Sequence, residues 1–434
     1  VLFVHLDERL FATARAHPRH QVAPVAMAHA MGCATRDGHD VEFIETATGE
    51  VGEAELRRRL EGDRAELVVI QPTQEALPFV RDVVAMARPR ERTVLLAGAP
   101  SAHASASLLA RTGARAVALG EWDEAPGEVA VRLAAGGGLR GVPGLLLAAG
   151  DDVVRTAPRP IERDLDRLPP ARHDLLLRYR YQFHYPLRPR GRLRMGYVLA
   201  SRGCPYACVY CSEVERASVG KPYRTRSAAR VVDELRVLAG LGATGVYFAD
   251  DLFALDRARL LGLCGAIERA RLGLSWSAQL RAGDIDDEAA EALARAGCAS
   301  VACGIESAGV ELVAFLIVGV PIERAEEREA TLRLASELGA SLVQLHIFAS
   351  YPGTYAAQKF PELGTGGATK FAPTHSRADR DELLAVRRRF YLDFYLRPDR
   401  LVRHVVRRVP QVLSNPRGEL GMAWRLARLA LFGG

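Results

Sequence analysis

Lysine is nearly missing from this chain. It stands only at Lys221, Lys359 and Lys370, so arginine supplies almost all of the basic charge. A net charge of +6 over 434 residues is modest, and it lacks the clustered basic stripe of a nucleic-acid surface. The densest basic stretches, 188–194 and 387–408, read as solvated faces. No apolar run is long enough to cross a bilayer, and no secretory pattern opens the sequence. Neither a membrane span nor a nucleic-acid partner is therefore expected. The seven cysteines are an odd number, and three fall within eight positions. This argues against a secreted disulfide framework and predicts a reducing, cytoplasmic setting with a metal or cluster site.

The rest of the composition is that of an ordinary globular α/β protein of two or three domains. Up to residue 150, short apolar runs at 1–4, 41–44, 67–70, 94–96 and 116–119 alternate with helical patterns such as 24–31 and 79–87. Buried runs alternating with helices predict a doubly wound, Rossmann-like parallel sheet. Ligands on such sheets sit beyond the carboxyl ends of the strands. The turns there contain Gln71 to Gln74, Gly98 to Ser101, and Gly120-Glu121-Trp122. Residues 151–195, punctuated by prolines and carrying aromatics at 179–185, predict a linker wrapping between domains.

A second alternating series occupies 196–362. Its apolar runs at 195–200, 246–249, 275–280, 300–305, 313–318 and 342–348 predict a partial (β/α)6 barrel. Ser227, Asp256 and Asp284 are placed to cap its helices. The runs at 300–305 and 313–318 stand too close for a parallel crossover, which needs roughly a dozen residues. Residues are expected to be missing between Glu306 and Val313. A Gly-rich stretch and Arg-rich amphipathic helices over 363–434 predict a cover for the barrel mouth.

The loop after the first barrel run reads Ser201-Arg-Gly-Cys204-Pro-Tyr-Ala-Cys208-Val-Tyr210-Cys211. Iron–sulfur clusters are held by cysteine thiolates, normally four. Three thiolates in a compact C-x3-C-x2-C loop leave one iron open to bind a small molecule directly. A structural zinc site would need a distant second ligand pair, which the sequence lacks. Cys33, Cys264, Cys298 and Cys303 read as small core hydrophobes.

Cys204, Cys208 and Cys211, with aromatic Tyr210 before the last, resemble the radical S-adenosylmethionine (SAM) motif. The stretches Gly220 to Ser227, Phe248-Ala-Asp250-Asp251-Leu-Phe253, Gly304-Ile-Glu306-Ser307, Phe315 to Pro321 and Tyr351 to Thr354 are similar to that superfamily, in the same order. The resemblance implies a [4Fe–4S] cluster whose open iron chelates SAM. It also implies one-electron cleavage of SAM, fed by a donor such as flavodoxin or ferredoxin, and a 5′-deoxyadenosyl radical that abstracts hydrogen from substrate. By the same resemblance Asp250, Asp251, Gln279, Arg281, Glu306 and Gly319 would contact SAM together with Tyr210. His346 is the histidine placed nearest the barrel interior.

A doubly wound domain ahead of such a barrel is similar to the cobalamin-binding domain of cobalamin-dependent radical SAM enzymes. The resemblance implies cobalamin contacts from Gln71, Thr73, Gly98, Pro100, Ser101, Gly120 and Glu121. The D-x-H-x-x-G signature is absent, and neither His5 nor His39 fits it, so the 71–74 turn is the candidate for the lower cobalt face. The implied activity is methylation of an unactivated carbon or phosphorus of a small-molecule or natural-product substrate. Alternatives are a radical cyclase, rearrangement or oxidation on the same domain pair, and a sensor without turnover.

Overall fold

The computed structural model describes residues 1–10, 21–62, 64–73, 76–87, 92–98, 104–150, 152–183, 185, 187–206, 222–281, 284–302, 311–319, 323–337, 342–348, 380–395 and 397. The first sheet contains β1 (Leu2–Leu6), β2 (Glu42–Glu45), β3 (Leu67–Pro72), β4 (Thr93–Leu96), β5 (Ala116–Ala118), β6 (Leu145–Ala149) and β7 (Asp152–Arg155). Their order across the sheet is β2-β1-β3-β4-β5-β6-β7. The first five are parallel. Helices α1 (Val25–Arg36), α2 (Glu53–Gly62), α3 (Val80–Ala87), α4 (Ala106–Thr112) and α5 (Ala125–Ala134) connect or flank them. Leu67, Val68, Val69 and Ile70 are all buried, as a continuous apolar run requires when helices cover both faces of a sheet. The order reverses between β1 and β3, which creates a crevice at their carboxyl ends.

One boundary differs from expectation. β6 and β7 pair as an antiparallel hairpin turning at Gly150, whose φ is 64°. The first sheet thus runs to Arg155, past the expected boundary at 150.

The chain then forms the short helix α6 (His173–Leu176) and enters the second sheet through β8 (Met195–Val198). A two-stranded ribbon follows, β9 (Ser201–Arg202) against β10 (Arg224–Thr225). The second sheet continues with β11 (Gly245–Phe248), β12 (Ser275–Gln279), β13 (Cys298–Ala302), β14 (Glu311–Val318) and β15 (Leu342–Ile347). All six strands are parallel, in the order β8-β11-β12-β13-β14-β15. These six parallel strands fall at the six apolar runs from which a partial (β/α)6 barrel was expected. Helices α7 (Ala228–Gly240), α8 (Arg257–Ala270), α9 (Asp287–Arg295) and α10 (Ala325–Glu337) alternate with the strands.

Ser227 and Asp256 cap α7 and α8 as expected, each accepting a backbone N–H three residues on. The cap of α9 is Asp286, which accepts from Ala289 N at 2.9 Å. The expected cap, Asp284, lies two residues too early to reach that amide. β13 and β14 pair in parallel with Ser300 opposite Glu311. Residues 303–310, where a crossover was expected to be missing, lie outside the described residues.

The expected linker turns out to be core. Tyr179 donates to Phe43 O at 3.1 Å, and Tyr181 donates to the buried Glu45 at 2.8 Å. Edge-to-face contacts run from Tyr181 to Tyr197 on β8 at 5.4 Å and from Tyr197 to Tyr247 on β11 at 6.2 Å. Tyr185 then meets Tyr247 at 5.8 Å and Phe315 on β14 at 6.1 Å. The aromatic stretch is therefore a layer between the first sheet and the inner barrel face. Aromatic pairs of this geometry add about 1 kcal/mol each beyond their buried area.

The far edge of the barrel is covered by helix α11 (Arg380–Tyr395). Tyr391 accepts from Leu345 N and Tyr395 from Val343 N, both at 2.9 Å. Tyr395 also donates to Val343 O at 3.1 Å. Side-chain hydroxyls thus satisfy backbone groups that a neighbouring strand would otherwise take.

Candidate active site

The site is built around the ribbon that closes residues 203–223 at their base. On the barrel side, Ser201 is held by Asp250, which follows β11. The Asp250 carboxylate accepts from the Ser201 backbone amide and, at 2.8 Å, from its hydroxyl. Asp250 is buried, and its Oδ2 has no hydrogen-bond partner among the described residues. Burial, only partly offset by Ser201 and Arg259, pushes its carboxyl up to about 6. Its neighbour Asp251 is exposed.

A pH dependence follows. The folded pKa lies above the usual 3.8, so the penalty for burying the charge is absent below about pH 4 and complete above about pH 6. Asp250→Asn keeps an acceptor for Ser201 without the charge. Its stability relative to the parent should rise between pH 4 and 7 by up to about 3 kcal/mol. Urea unfolding across that range measures it, and a pH-independent difference would contradict the account.

On the other side, the ribbon is held by the first domain. Arg202 donates through both terminal nitrogens to the two oxygens of Asp123, each at 2.7 Å. Arg224, its partner across the ribbon, makes a matching pair with Glu121, one contact being 3.0 Å. All four side chains are buried. Glu121, expected to face a cofactor, is thus engaged by the ribbon. None of Arg202, Arg224 and Asp123 was singled out from the sequence. Their signal was weak: charged residues at the ends of apolar runs.

Cys204 is half-buried, two residues beyond Arg202, and its thiol is free of any disulfide. Tyr206 follows, with the Arg281 guanidinium 3.8 Å above its ring centroid, a cation–π geometry. Gln279, at the end of β12, hydrogen-bonds the Tyr185 hydroxyl, as does Gln344 of β15. Gly319 has a φ of 81°, and a Cβ there would come within 2.7 Å of Leu383 on α11. Its close approach is to this helix. His346 lies beside Phe315, with ring centroids 6.2 Å apart, and burial lowers its pKa with help from Arg387. Cys208, Tyr210, Cys211, Glu306, Pro100 and Ser101 lie outside the described residues, as does Gln74.

The remaining expected residues gather at the carboxyl edge of the first sheet. Thr73 N donates to Leu6 O at 2.7 Å, tying the end of β3 to the end of β1. Gln71 Oε1 is buried without a partner among the described residues. Gly98 has a φ of 73°, and a Cβ there would meet Gln71 Cγ at 3.0 Å. Gly120, with a φ of 67°, turns the chain from β5 toward Glu121 and Asp123. One edge therefore carries both a crevice with an orphaned acceptor and the carboxylates that grip the ribbon.

Residues 198–348 match the radical SAM superfamily, and that span contains the ribbon, Cys204, Asp250 and the barrel. The chain carries a radical SAM domain over those residues. A radical SAM domain implies SAM and a [4Fe–4S] cluster. The chain is 26% identical over 421 residues to an uncharacterised methyltransferase of Pyrococcus horikoshii, covering 88% of this chain and 90% of that one. It is 26% identical over 254 residues to the anaerobic magnesium-protoporphyrin IX monomethyl ester cyclase of Rubrivivax gelatinosus, covering 51% of this chain and 44% of that one. Its fold is similar to that of the radical SAM methyltransferase TsrM of Kitasatospora setae, solved with tryptophan and a SAM analogue. The TM-score is 0.67 at 19% identity, covering 83% of this chain and 76% of that one. The same methyltransferase solved with cobalamin and a [4Fe–4S] cluster gives a TM-score of 0.65 at 22% identity, covering 83% and 74%. Among the described residues, no helix is long and apolar enough to cross a membrane.

Proposed function

We propose that this enzyme is a cobalamin-dependent radical SAM methyltransferase acting on an unactivated carbon or phosphorus of a small molecule. The observation that carries the reading is the double grip of Asp123 and Glu121 on Arg202 and Arg224. It sets the carboxyl edge of the first sheet against the base of the cysteine loop, where two cofactors would serve one reaction.

The residues present fit these groups. Cys204, with Cys208 and Cys211, would hold the cluster, and thiolates are its natural donors. The orphaned Oδ2 of Asp250 is an acceptor suited to the SAM amino group. Asp251, Gln279, Arg281, Tyr210 and Glu306 would complete that pocket. Gln71, with its orphaned Oε1, would meet cobalamin together with Thr73, Gly98, Pro100, Ser101 and Gly120. The cluster with SAM supplies hydrogen-atom abstraction, and cobalamin supplies a methyl group.

The chain's own task is to orient and to exclude water. The Tyr181–Tyr197–Tyr247–Tyr185 layer fills the space between the two sheets, and Arg281 over Tyr206 would fix the loop start. An external one-electron donor completes the set. Similarity to the anaerobic cyclase supports cyclisation as the second reading.

Cobalamin uptake tests the choice. After anaerobic cluster reconstitution and gel filtration, the parent should retain about one cobalamin per chain. Gly98→Val, strained at positive φ and crowding Gln71, should lower that affinity about tenfold or more with unchanged iron content. No cobalamin on the parent, with an intact cluster, would overturn the methyltransferase reading in favour of cyclisation.

A further inference from the structure

We infer that Glu121 and Asp123 of the first domain are positioning residues for the cluster loop. The inference rests on the proposed placement of the cluster but not on cobalamin or methyl transfer. The two carboxylates stand two residues apart in the segment leaving β5. The two arginines they hold are direct register partners across the ribbon, Arg224 opposite Arg202. Arg202 lies just before Cys204, and Arg224 receives the chain as it returns from the loop. Both ends of the loop are therefore fixed from the first domain by buried, two-pronged ion pairs.

The geometry goes beyond what simple docking of two domains needs. Two-pronged arginine–carboxylate pairs fix orientation as well as distance. Arg224 is pinned further, donating to Pro222 O at 3.1 Å and also to Glu162 O at 2.5 Å. Asp250 holds Ser201 from the barrel side. The base of the loop is thus set by three carboxylates, two of which belong to the first domain. Two residues of extended chain span at most about 7 Å, so the backbone of Arg202, whose side chain Asp123 holds, lies within that span of the backbone of Cys204.

Charge and geometry can be separated by experiment. Asp123→Asn and Glu121→Gln in the full chain keep shape but leave an uncompensated arginine near the cluster. That added positive charge favours the reduced cluster, so its midpoint potential should shift upward. Arg202→Lys and Arg224→Lys keep the charge and lose the two-pronged geometry. They should leave the potential in place yet slow SAM cleavage, by up to about a hundredfold if the loop base moves by an ångström, with an altered electron paramagnetic resonance signal when SAM is added. Glu124→Gln, adjacent in sequence but paired with surface Arg36, should match the parent.

Unchanged potential in both carboxylate variants, together with parental cleavage in both lysine variants, would overturn the inference. A variant too unstable to purify is replaced by the other member of its pair. None of these readouts uses cobalamin, so failure here is distinct from failure of the methyltransferase reading.

Discussion

Serine at Cys204, Cys208 or Cys211 is expected to abolish both the iron-linked visible absorbance and SAM cleavage. The alkoxide needed to replace a thiolate is inaccessible near neutral pH, so each substitution removes a ligand. Cys204 is half-buried, and replacing its thiol disturbs little packing, so the thermal midpoint of the cluster-free protein should stay close to the parent's. The contrast is with Cys264, a buried thiol on α8 whose pKa burial pushes up to about 12. Cys264→Ser should leave iron content and SAM cleavage intact but destabilise the fold by about 1–3 kcal/mol, because it buries a hydroxyl. Iron assay, absorbance and product analysis distinguish the two classes. Full cluster assembly in any of the three loop variants would disprove their assignment.

The largest loss of stability is expected at Glu234 on α7. It accepts from His173 Nε2 at 2.6 Å and from Arg226 just after β10, and all three residues are buried. Burial opposes ionisation of Glu234, but the His173 hydrogen bond and the charges of His173 and Arg226 outweigh it and hold the carboxylate well below its usual range. Glu234→Ala would strand Arg226 without its counterion. Breaking a buried pair from one side costs about 3–5 kcal/mol, a drop in thermal midpoint on the order of 10 °C. The sign with pH follows from the lowered pKa. The parent's advantage is full above the usual glutamate range and declines as pH falls from there to the lowered pKa. A loss below 1 kcal/mol would show that the carboxylate contributes little.

Much of the fold was legible because buried strands announce themselves. The runs at 67–70 and 246–249 are apolar and bounded by turn residues, and the structure has strands at Leu67–Pro72 and Gly245–Phe248. Cys204, Cys208 and Cys211 stand out in the sequence for a chemical reason, since three cysteines in eight positions have few other uses. The ribbon was not legible. Two strands of two residues each carry no period, and Arg202–Asp123 and Arg224–Glu121 join positions 79 and 103 residues apart. Asp284 and Asp286 flank one Ile in a run of acids, and only backbone geometry decides which caps. Prolines around 158–189 suggested a loose linker, whereas Tyr179, Tyr181 and Tyr185 fill space that only the assembled sheets define.

The pairing of α11 with β15 bears on self-association. An exposed edge strand offers unpaired amides and carbonyls to any second chain. Four residues of helix rise about 6 Å, close to the 6.6 Å of two strand residues. Tyr391 and Tyr395 can therefore address Leu345 and Val343 in step. Their hydroxyls occupy the very groups through which two barrels would join edge to edge. A helix thus does at this edge, through two phenolic oxygens, what a seventh strand would do.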